Sequence, residues 1–227
     1  MLNLIFDLDG TLIDSARDLH AVAGKLLQEE GHPPLDLPTV KSFIGNGVPK
    51  LVERIMEHCF GHVDPQRHQQ LVVRFMQHYN AAPTALTRLY PHVAECLQEL
   101  ELEGHCLGLC TNKPSAISHR ILRELDIAQH FSAIFGGDML PVKKPDPAPL
   151  LAVVKALGRR PSLYIGDSEI DAQTANAAGY PFLLFTEGYR KKPIEDIPHQ
   201  ARFNDFQYLP ETVTRLAEQL SSASTRG

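Results

Sequence analysis

Short apolar runs alternate along the chain with longer stretches in which apolar residues return every three or four positions. Each short run is apolar at odd and even positions alike, as in a strand covered on both faces of a sheet. The runs lie at residues 2–6, 106–110, 133–135, 163–165 and 182–185. Because they alternate with helical stretches, we predict right-handed βαβ units and a doubly wound, mostly parallel, Rossmann-like α/β sheet.

The interval between the first two runs breaks this alternation. It contains about a hundred residues with helical spacing and no clear strand. Three amphipathic stretches begin near Leu19, Val48 and Leu71, and turn-forming residues separate them. Since a single crossover has no room for three helices in one layer, we predict an inserted, all-helical cap domain. The cap is expected to span residues 14–83. The α/β core is expected to consist of residues 1–13 and 84–227.

Composition and charge narrow the class of protein. The 227 residues are 43% hydrophobic and 22% charged, which is ordinary for a globular chain. The formal net charge of −5 argues against nucleic acid or an acidic membrane surface as a partner. No stretch approaches the roughly 20 apolar residues of a bilayer span, and no basic signal-peptide region precedes the first run. We therefore expect a cytoplasmic chain whose four cysteines are reduced. The tail at residues 221–227 is expected to be frayed.

Polar residues follow four of the predicted strands. Ligands of doubly wound sheets bind outside the carboxyl ends of the strands, so these side chains are expected to converge on one point. In chain order, the residues that carry this expectation are Asp7, Asp9, Thr111, Asn112, Lys113, Lys144, Asp167 and Asp171.

Carboxylates gathered this closely require a positive counter-charge. Two of them about 4 Å apart repel by roughly 4 kcal/mol at an effective dielectric constant of 20. A site with only oxygen ligands, few of them from the protein, suits Mg²⁺ bound together with a phosphate oxygen. The residues before Pro114 fit the start of a helix, where free N–H groups bind anions. Lys144 adds positive charge, so the pattern favours phosphoryl transfer.

The same residues resemble a known family. The segments concerned are Asp7-Leu8-Asp9-Gly10-Thr11, the strand-end Thr111, Lys144-Pro145, and Gly166-Asp167-Ser168 followed by Asp171. In order and spacing they are similar to the four motifs of the haloacid dehalogenase superfamily of phosphatases. The likeness covers essentially the whole chain, including the cap.

The resemblance implies roles for the first motif. Asp7 is expected to be the nucleophile that takes up the phosphoryl group, and its carboxylate a ligand of Mg²⁺. Asp9 is expected to protonate the leaving alcohol and then to deprotonate water, while its backbone carbonyl binds the metal. Gly10 permits a tight turn beside the metal, and with Thr11 it belongs to the candidate phosphate-binding residues. The alternative for both aspartates is an ordinary turn after a strand.

The later motifs complete the implied site. Thr111 and Lys144 are expected to hold the phosphoryl oxygens, and Asp167 to bind Mg²⁺. Asp171 either joins the metal through water or orients Lys144. Capping a helix is the alternative role for Thr111, and a favourable charge in the first turn of a helix is the alternative for Asp171.

The substrate is expected to be selected by the cap. The segments that resemble phosphoglycolate phosphatases of this superfamily are residues 14–19, 43–47, 111–113 and 186–189. The carboxylate of 2-phosphoglycolate needs cations and amide donors nearby. The groups expected to supply them are Asn46, Lys113 and the N–H groups of residues 45–48, which include Gly47, with Lys50 or Arg54 added unless these two lie on a solvated helix face. Asn112 is expected among the phosphate- or substrate-binding residues.

Other functions stay open from the sequence. Sugar phosphates and nucleotides are alternative substrates of similar enzymes. β-Phosphoglucomutases have a histidine where this chain has Leu19, next to His20. A receiver module of a signalling protein shares an acceptor aspartate, a threonine and a lysine, but it is shorter and has no helical cap. The expected partner is a small phosphorylated metabolite, with monomer and homodimer both open.

Overall fold

A central parallel sheet organises the computed structural model, which describes residues 1–224 and the side chains of residues 1–218. The strands of this part of the chain are β1 (Asn3–Phe6), β2 (Ile13–Asp14), β3 (Arg88–Leu89), β4 (Cys106–Cys110), β5 (Phe131–Phe135), β6 (Ser162–Gly166), β7 (Phe182–Phe185) and β8 (Ala201–Phe203). Six of them form the sheet in the order β5-β4-β1-β6-β7-β8, with every neighbouring pair parallel. The chain steps outward from β1 in both directions, which confirms the predicted doubly wound α/β fold.

Helices occupy most of the remaining described chain. They are α1 (Ala16–Glu29), α2 (Leu37–Phe43), α3 (Val48–Phe60), α4 (Pro65–Ala81), α5 (Val93–Leu102), α6 (Ser115–Glu124), α7 (Ala148–Leu157), α8 (Glu169–Ala178) and α9 (Leu209–Ser224). Among the described residues, no helix is both long and apolar enough to cross a bilayer. Of the tail expected to fray, residues 225–227 lie outside the described residues.

Alternate residues of the strands point to opposite faces of the sheet, and both faces are covered. Leu4 and Phe6 of β1 belong to one buried cluster, which includes residues of α5, α6 and α9. Ile5 belongs to a second cluster with residues of α7 and α8. This double coverage explains why the core strands are apolar at successive positions. The four cysteines are free thiols, and Cys96 and Cys110 lie buried in these clusters.

Four short elements were not predicted. Helix α2 has only seven residues, too few to show a helical repeat. Asp36 caps its start, since the Asp36 side chain accepts a hydrogen bond from the N–H of Thr39. Strand β8 has three residues, while β2 and β3 have two each and pair antiparallel. Pairing with distant segments, rather than a local pattern, creates these strands.

The β2–β3 pair lies where the chain leaves the core before α1 and returns to it after α4. Asp18 of α1 is buried beside the returning segment. Its carboxylate accepts hydrogen bonds from the backbone N–H groups of Leu86 and Thr87, at 3.0 and 2.7 Å, and from the Thr87 hydroxyl at 2.6 Å. One buried carboxylate therefore joins the two connections between the helical segment and the core.

We expect Asp18→Ala to lower the free energy of unfolding by about 2–4 kcal/mol, because it leaves two N–H groups and a hydroxyl without their acceptor. Thr87→Val removes only the hydroxyl and should cost about 1 kcal/mol. Urea unfolding of both variants and of the unaltered protein measures the difference. Equal losses for the two variants would contradict the central role assigned to the carboxylate.

Candidate active site

The residues expected to carry chemistry lie together at one edge of the sheet. Asp7 follows β1, Thr111 follows β4 and Asp167 follows β6. Since β1 pairs in parallel with both β4 and β6, the carboxyl ends of the three strands meet there. Residues of α1, α3 and the α2–α3 loop enclose a cavity against this edge. Its lining residues are Asp7, Asp9, Leu19, Ile44, Gly45, Gly47, Val48, Leu51, Thr111, Asn112 and Lys113.

Three buried carboxylates form an acidic cluster beside this cavity. Asp7, Asp167 and Asp171 each place one oxygen within 4.8 Å of the others. The Thr11 hydroxyl donates a hydrogen bond to Oδ1 of Asp167 at 2.9 Å, and the backbone N–H of Tyr189 donates to Oδ2 at 2.6 Å. Thr11, expected among the phosphate-binding residues, therefore uses its hydroxyl to orient a carboxylate of the cluster.

Asp171 is held by the start of α8. Its Oδ2 accepts hydrogen bonds from the Ser168 hydroxyl at 2.6 Å and the Ser168 backbone N–H at 3.2 Å, completing a capping box. Its Oδ1 accepts from Nζ of Lys144 at 2.7 Å. Both oxygens are thus engaged, and Asp171 contacts Lys144 directly.

Lys144 places its ammonium between two members of the acidic cluster. Its side chain is 2% exposed, and Nζ lies 2.8 Å from Oδ1 of Asp7 and donates to the Tyr164 hydroxyl at 2.8 Å. Burial alone would lower the pKa of Lys144, but the carboxylates of Asp171 and Asp7 raise it above the ordinary value. The amino group therefore stays charged beside Asp7.

One ammonium does not balance three carboxylates. Burial, opposed by Lys144 and reinforced by Asp171, raises the pKa of Asp7 to about 6. Burial first, and then the charges of Asp171 and Asp7, raises the pKa of Asp167 well above its ordinary value. A hard divalent cation would balance the remaining charge and suits the all-oxygen donor set. The acidic cluster can therefore hold a metal ion.

Asp9 is bonded to a separate set of groups. Nζ of Lys113 donates to its two carboxylate oxygens at 2.7 and 3.0 Å, and the Ser15 hydroxyl also donates to it. The same ammonium lies 4.8 Å from the ring centroid of Tyr79 in α4. Burial lowers the pKa of Lys113, but the Asp9 carboxylate more than compensates and raises it. Lys113, expected to bind substrate, lines the cavity as the ion-pair partner of Asp9.

At the start of α6, two backbone N–H groups are bonded to groups of the protein. Thr111 lines the cavity, and its Oγ1 accepts a hydrogen bond from the N–H of Lys113 at 3.2 Å. The N–H of Ser115, the first residue of α6, donates to the Asp138 carboxylate at 2.7 Å. The Asp138 carboxylate therefore accepts a hydrogen bond from one of the N–H groups in the region where the sequence suggested that a substrate anion binds.

The helical segment contributes mostly apolar side chains to the cavity. Those residues are Leu19, Ile44, Val48 and Leu51. Oδ1 of Asn46 accepts from Arg54 at 2.8 Å, and Lys50 pairs with Glu53 at 2.6 Å. The side chains of Asn46, Lys50 and Arg54 thus bond to protein groups outside the cavity lining, whereas Gly47 lines it directly.

Tyr189 was not among the candidate site residues, yet it joins the acidic cluster to the start of α1. Its hydroxyl donates to Asp14 at 2.7 Å and accepts from the N–H groups of Ser15 and Ala16 at 2.7 and 3.0 Å. Its own N–H is bonded to Asp167. The available signal in the sequence was its place in the segment after β7, at the carboxyl edge of the sheet.

Gly10 allows the chain to pass close to Asp167. Its φ is +89°, and a Cβ at this position would lie 2.6 Å from Oδ2 of Asp167. Gly188 is similarly crowded, since a Cβ there would lie 2.3 Å from the carbonyl oxygen of Gly10. The tight turn expected at Gly10 thus has a steric reason in the structure.

Proteins with similar sequences have closely matching lengths. A phosphoglycolate phosphatase of Cereibacter sphaeroides is 49% identical over 216 residues, which cover 95% of this chain and 99% of that protein. A phosphoglycolate phosphatase of Rhodobacter capsulatus is 40% identical over 210 residues, covering 92% of this chain and 95% of that protein. The similarity therefore spans both the sheet and the helical segment.

A solved structure has the same fold over nearly the same length of chain. The crystal structure of a predicted phosphoglycolate phosphatase from Haemophilus somnus superposes with a TM-score of 0.87 at 31% identity, covering 92% of this chain and 96% of that one. The sequence model of the haloacid dehalogenase-like hydrolase family matches residues 4–185. With this match across most of the chain, the protein belongs to the haloacid dehalogenase-like hydrolase family.

Proposed function

We propose that this protein is a Mg²⁺-dependent phosphoric monoester hydrolase that converts 2-phosphoglycolate to glycolate and phosphate. The observation that carries the proposal is the arrangement of Asp7 and Asp9 on one cavity, with Lys144 beside Asp7 and Lys113 beside Asp9. The name shared by the relatives of similar length supports the substrate. The chemistry and the choice of substrate rest on different residues and are tested separately.

In the first chemical step, a carboxylate oxygen of Asp7 attacks phosphorus and the bond to the leaving oxygen breaks. Asp9 gives that oxygen its proton, so glycolate leaves as an alcohol and Asp7 carries the phosphoryl group. In the second step, Asp9 takes a proton from water, the water oxygen attacks phosphorus, and the bond to Asp7 breaks. Thr111 and Lys144 bind the phosphoryl oxygens throughout, and Lys144 neutralises charge that develops on them.

The metal ligands are proposed to be the carboxylates of Asp7 and Asp167 and the backbone carbonyl of Asp9. Asp171 contributes indirectly, because its oxygens are bonded to Lys144 and Ser168. Bound Mg²⁺ supplies positive charge that polarises the phosphoryl group and offsets the repulsion between phosphate and carboxylates. Thr11 and Tyr189 keep Asp167 oriented toward that site.

The leaving group of the substrate is proposed to meet the cap, formed by residues 14–83 with helices α1–α4. Apolar side chains on this side disfavour a large polar sugar or base, and so support a small substrate. Lys113 and the free N–H groups at the start of α3, beside Gly47, are the donors proposed for its carboxylate. The side chain of Asn46 is proposed to orient Arg54, whose guanidinium donates a hydrogen bond to it.

A mutase-like reaction is less well supported than hydrolysis. Leu19 lines the cavity at the position where β-phosphoglucomutases have a histidine. The neighbouring His20 places Nε2 2.8 Å from the backbone carbonyl of Leu35, so its imidazole is bonded within the helical segment. No histidine is among the cavity-lining residues in the described part of the chain.

Phosphate release from a panel of esters tests the proposal. The panel contains 2-phosphoglycolate, sugar phosphates, nucleotides and an aryl phosphate, each assayed with and without Mg²⁺. A strong preference for 2-phosphoglycolate is expected. Release from the aryl phosphate alone would retain the chemistry and overturn the substrate. No release, with a stable phosphoryl group on Asp7, would instead indicate a receiver-like acceptor.

Metal removal is expected to lower turnover by more than about 100-fold, because the positive charge of the metal contributes several kcal/mol to stabilising the transition state. Treatment with a chelator, followed by titration with Mg²⁺, measures both the loss and the recovery. Asp167→Asn should raise the Mg²⁺ concentration needed for half-maximal activity, whereas Asp196→Asn on an exposed turn should not. Full activity in the chelator would refute the metal dependence.

A further inference from the structure

The carboxamide of Asn112 is bonded to two separate parts of the protein. Its Oδ1 accepts a hydrogen bond from the backbone N–H of Lys144 at 3.0 Å, and its Nδ2 donates to the carbonyl of Lys144 at 3.1 Å. Nδ2 also donates to the carbonyl of Gly45, in the α2–α3 loop, at 3.1 Å. These partners determine the orientation of the amide, because an N–H can only donate and a carbonyl can only accept. Both N–H groups of the amide are therefore used within the protein.

The α2–α3 loop can approach Asn112 because it contains two glycines. Gly47 has φ of +82°, and a Cβ there would lie 3.0 Å from the backbone carbonyl oxygen of Asn112. Gly45 has φ of +117° and provides the carbonyl that accepts from Nδ2. Both glycines also line the cavity. Contact with Asn112 therefore holds the loop against the edge of the sheet where the acidic cluster lies.

The other two bonds of the amide act on the segment that carries Lys144. That segment lies between β5 and α7 and has no strand of its own. The backbone of Lys144 is bonded to Asn112 on both its N–H and its carbonyl, while its ammonium lies 2.8 Å from Asp7. A shift of the Asn112 amide would therefore displace the lysine that neutralises Asp7.

We propose that Asn112 is a positioning residue that couples docking of the α2–α3 loop over the cavity to placement of Lys144 beside Asp7. The inference rests on the proposed function, since it concerns residues assigned there to phosphoryl transfer. Asn112 is 5% exposed with the loop in place, so withdrawing the loop would break a hydrogen bond that is shielded from solvent. Docking of the loop and the bonded position of Lys144 consequently stabilise each other. Asn112 acts through its neighbours and does not bind substrate through its side chain.

Asn112→Asp tests the coupling with almost no change of shape, because it turns the donor facing the two carbonyls into an acceptor. Asn176→Asp, the same substitution on the exposed face of α8, is the matched control. We expect Asn112→Asp to lower kcat/KM by about 10-fold or more, with kcat reduced and KM raised. Hydrogen exchange should become faster at the amides of residues 45–48 and stay unchanged in β4. The control should stay within about 2-fold in both kinetic constants.

Gly47→Ala disturbs the same contact from the side of the loop and adds no charge. Its Cβ would press against the Asn112 carbonyl, so the same changes in KM, kcat and exchange are expected. Combined with Asn112→Asp, the effects should be less than additive, because both substitutions break one contact. This variant also carries the test if Asn112→Asp fails to fold.

Several outcomes separate this inference from the proposed function. Kinetic constants of Asn112→Asp equal to those of the control would overturn the coupling, as would fully additive effects with Gly47→Ala. A lower kcat with unchanged KM and unchanged exchange at residues 45–48 would indicate loss of folded enzyme only, and would also overturn it. An unaltered protein that hydrolyses no ester would refute the proposed function, while faster exchange at residues 45–48 in the variant would still support the contact.

Discussion

Asp7→Asn is expected to reduce phosphate release by at least about 10⁴-fold, because a neutral amide is a poor nucleophile for phosphorus. The change keeps the shape of the side chain and removes one of three crowded carboxylates. Burial already raises the pKa of Asp7 to about 6, which means that its charged form is costly in this site. The variant should therefore fold at least as stably as the unaltered protein, and activity and stability should change in opposite directions.

Two measurements check this expectation. Phosphate release gives the activity, and urea unfolding in the absence of metal gives the free energy of unfolding. Asp196→Asn is the matched control, since Asp196 lies exposed on a short helical turn. Asp9→Asn should lower activity by about 10²–10⁴-fold and retain more substrate binding than turnover, as expected for loss of an acid–base group. Near-normal turnover by pure Asp7→Asn protein would overturn its assignment as the nucleophile.

Lys144→Met is expected to have the largest effect on stability of any change at the site. It removes the ammonium that is bonded to Asp171 at 2.7 Å and lies 2.8 Å from Asp7, and it leaves both carboxylates buried. Breaking a buried ion pair by removing one partner typically costs about 3–5 kcal/mol. Turnover should fall with it, because the phosphoryl oxygens lose their protein cation.

Lys143→Met provides a control at the preceding position, where the lysine is exposed. It should change the free energy of unfolding by less than about 0.5 kcal/mol. Urea unfolding of the two variants in chelator measures the difference without a contribution from bound metal. Equal urea concentrations at the midpoint of unfolding for Lys144→Met and Lys143→Met would show that Lys144 does not neutralise the charge of the acidic cluster.

The sheet was predictable because its strands are buried on both faces. Strands such as β1 and β7 show this as continuous apolar sequence, and the parallel order of the sheet confirms the predicted fold class. Family membership was predictable from short motifs at strand ends, and the match over residues 4–185 confirms it. The roles of individual site residues stay predictions until they are tested by substitution.

The partners of the charged residues were not predictable from their types and spacing. Lys113 was expected to bind substrate, and only the structure shows that it also pairs with Asp9, a residue 104 positions away in the chain. Asn112 was expected among the phosphate- or substrate-binding residues, and only the structure shows that its carboxamide is bonded to the backbone of Lys144 and Gly45. Nothing local distinguishes a lysine or an asparagine that binds a ligand from one that binds the protein.

The sequence by itself determined which segments become core strands and which polar residues follow them, because burial on both faces and strand ends leave a local pattern. Only the tertiary structure decided which ammonium meets which carboxylate and which amide reaches the α2–α3 loop. It also decided where short elements such as α2 and β8 form. These features depend on distances between residues far apart in the chain, and such distances exist only once the sheet and the helical segment have packed together.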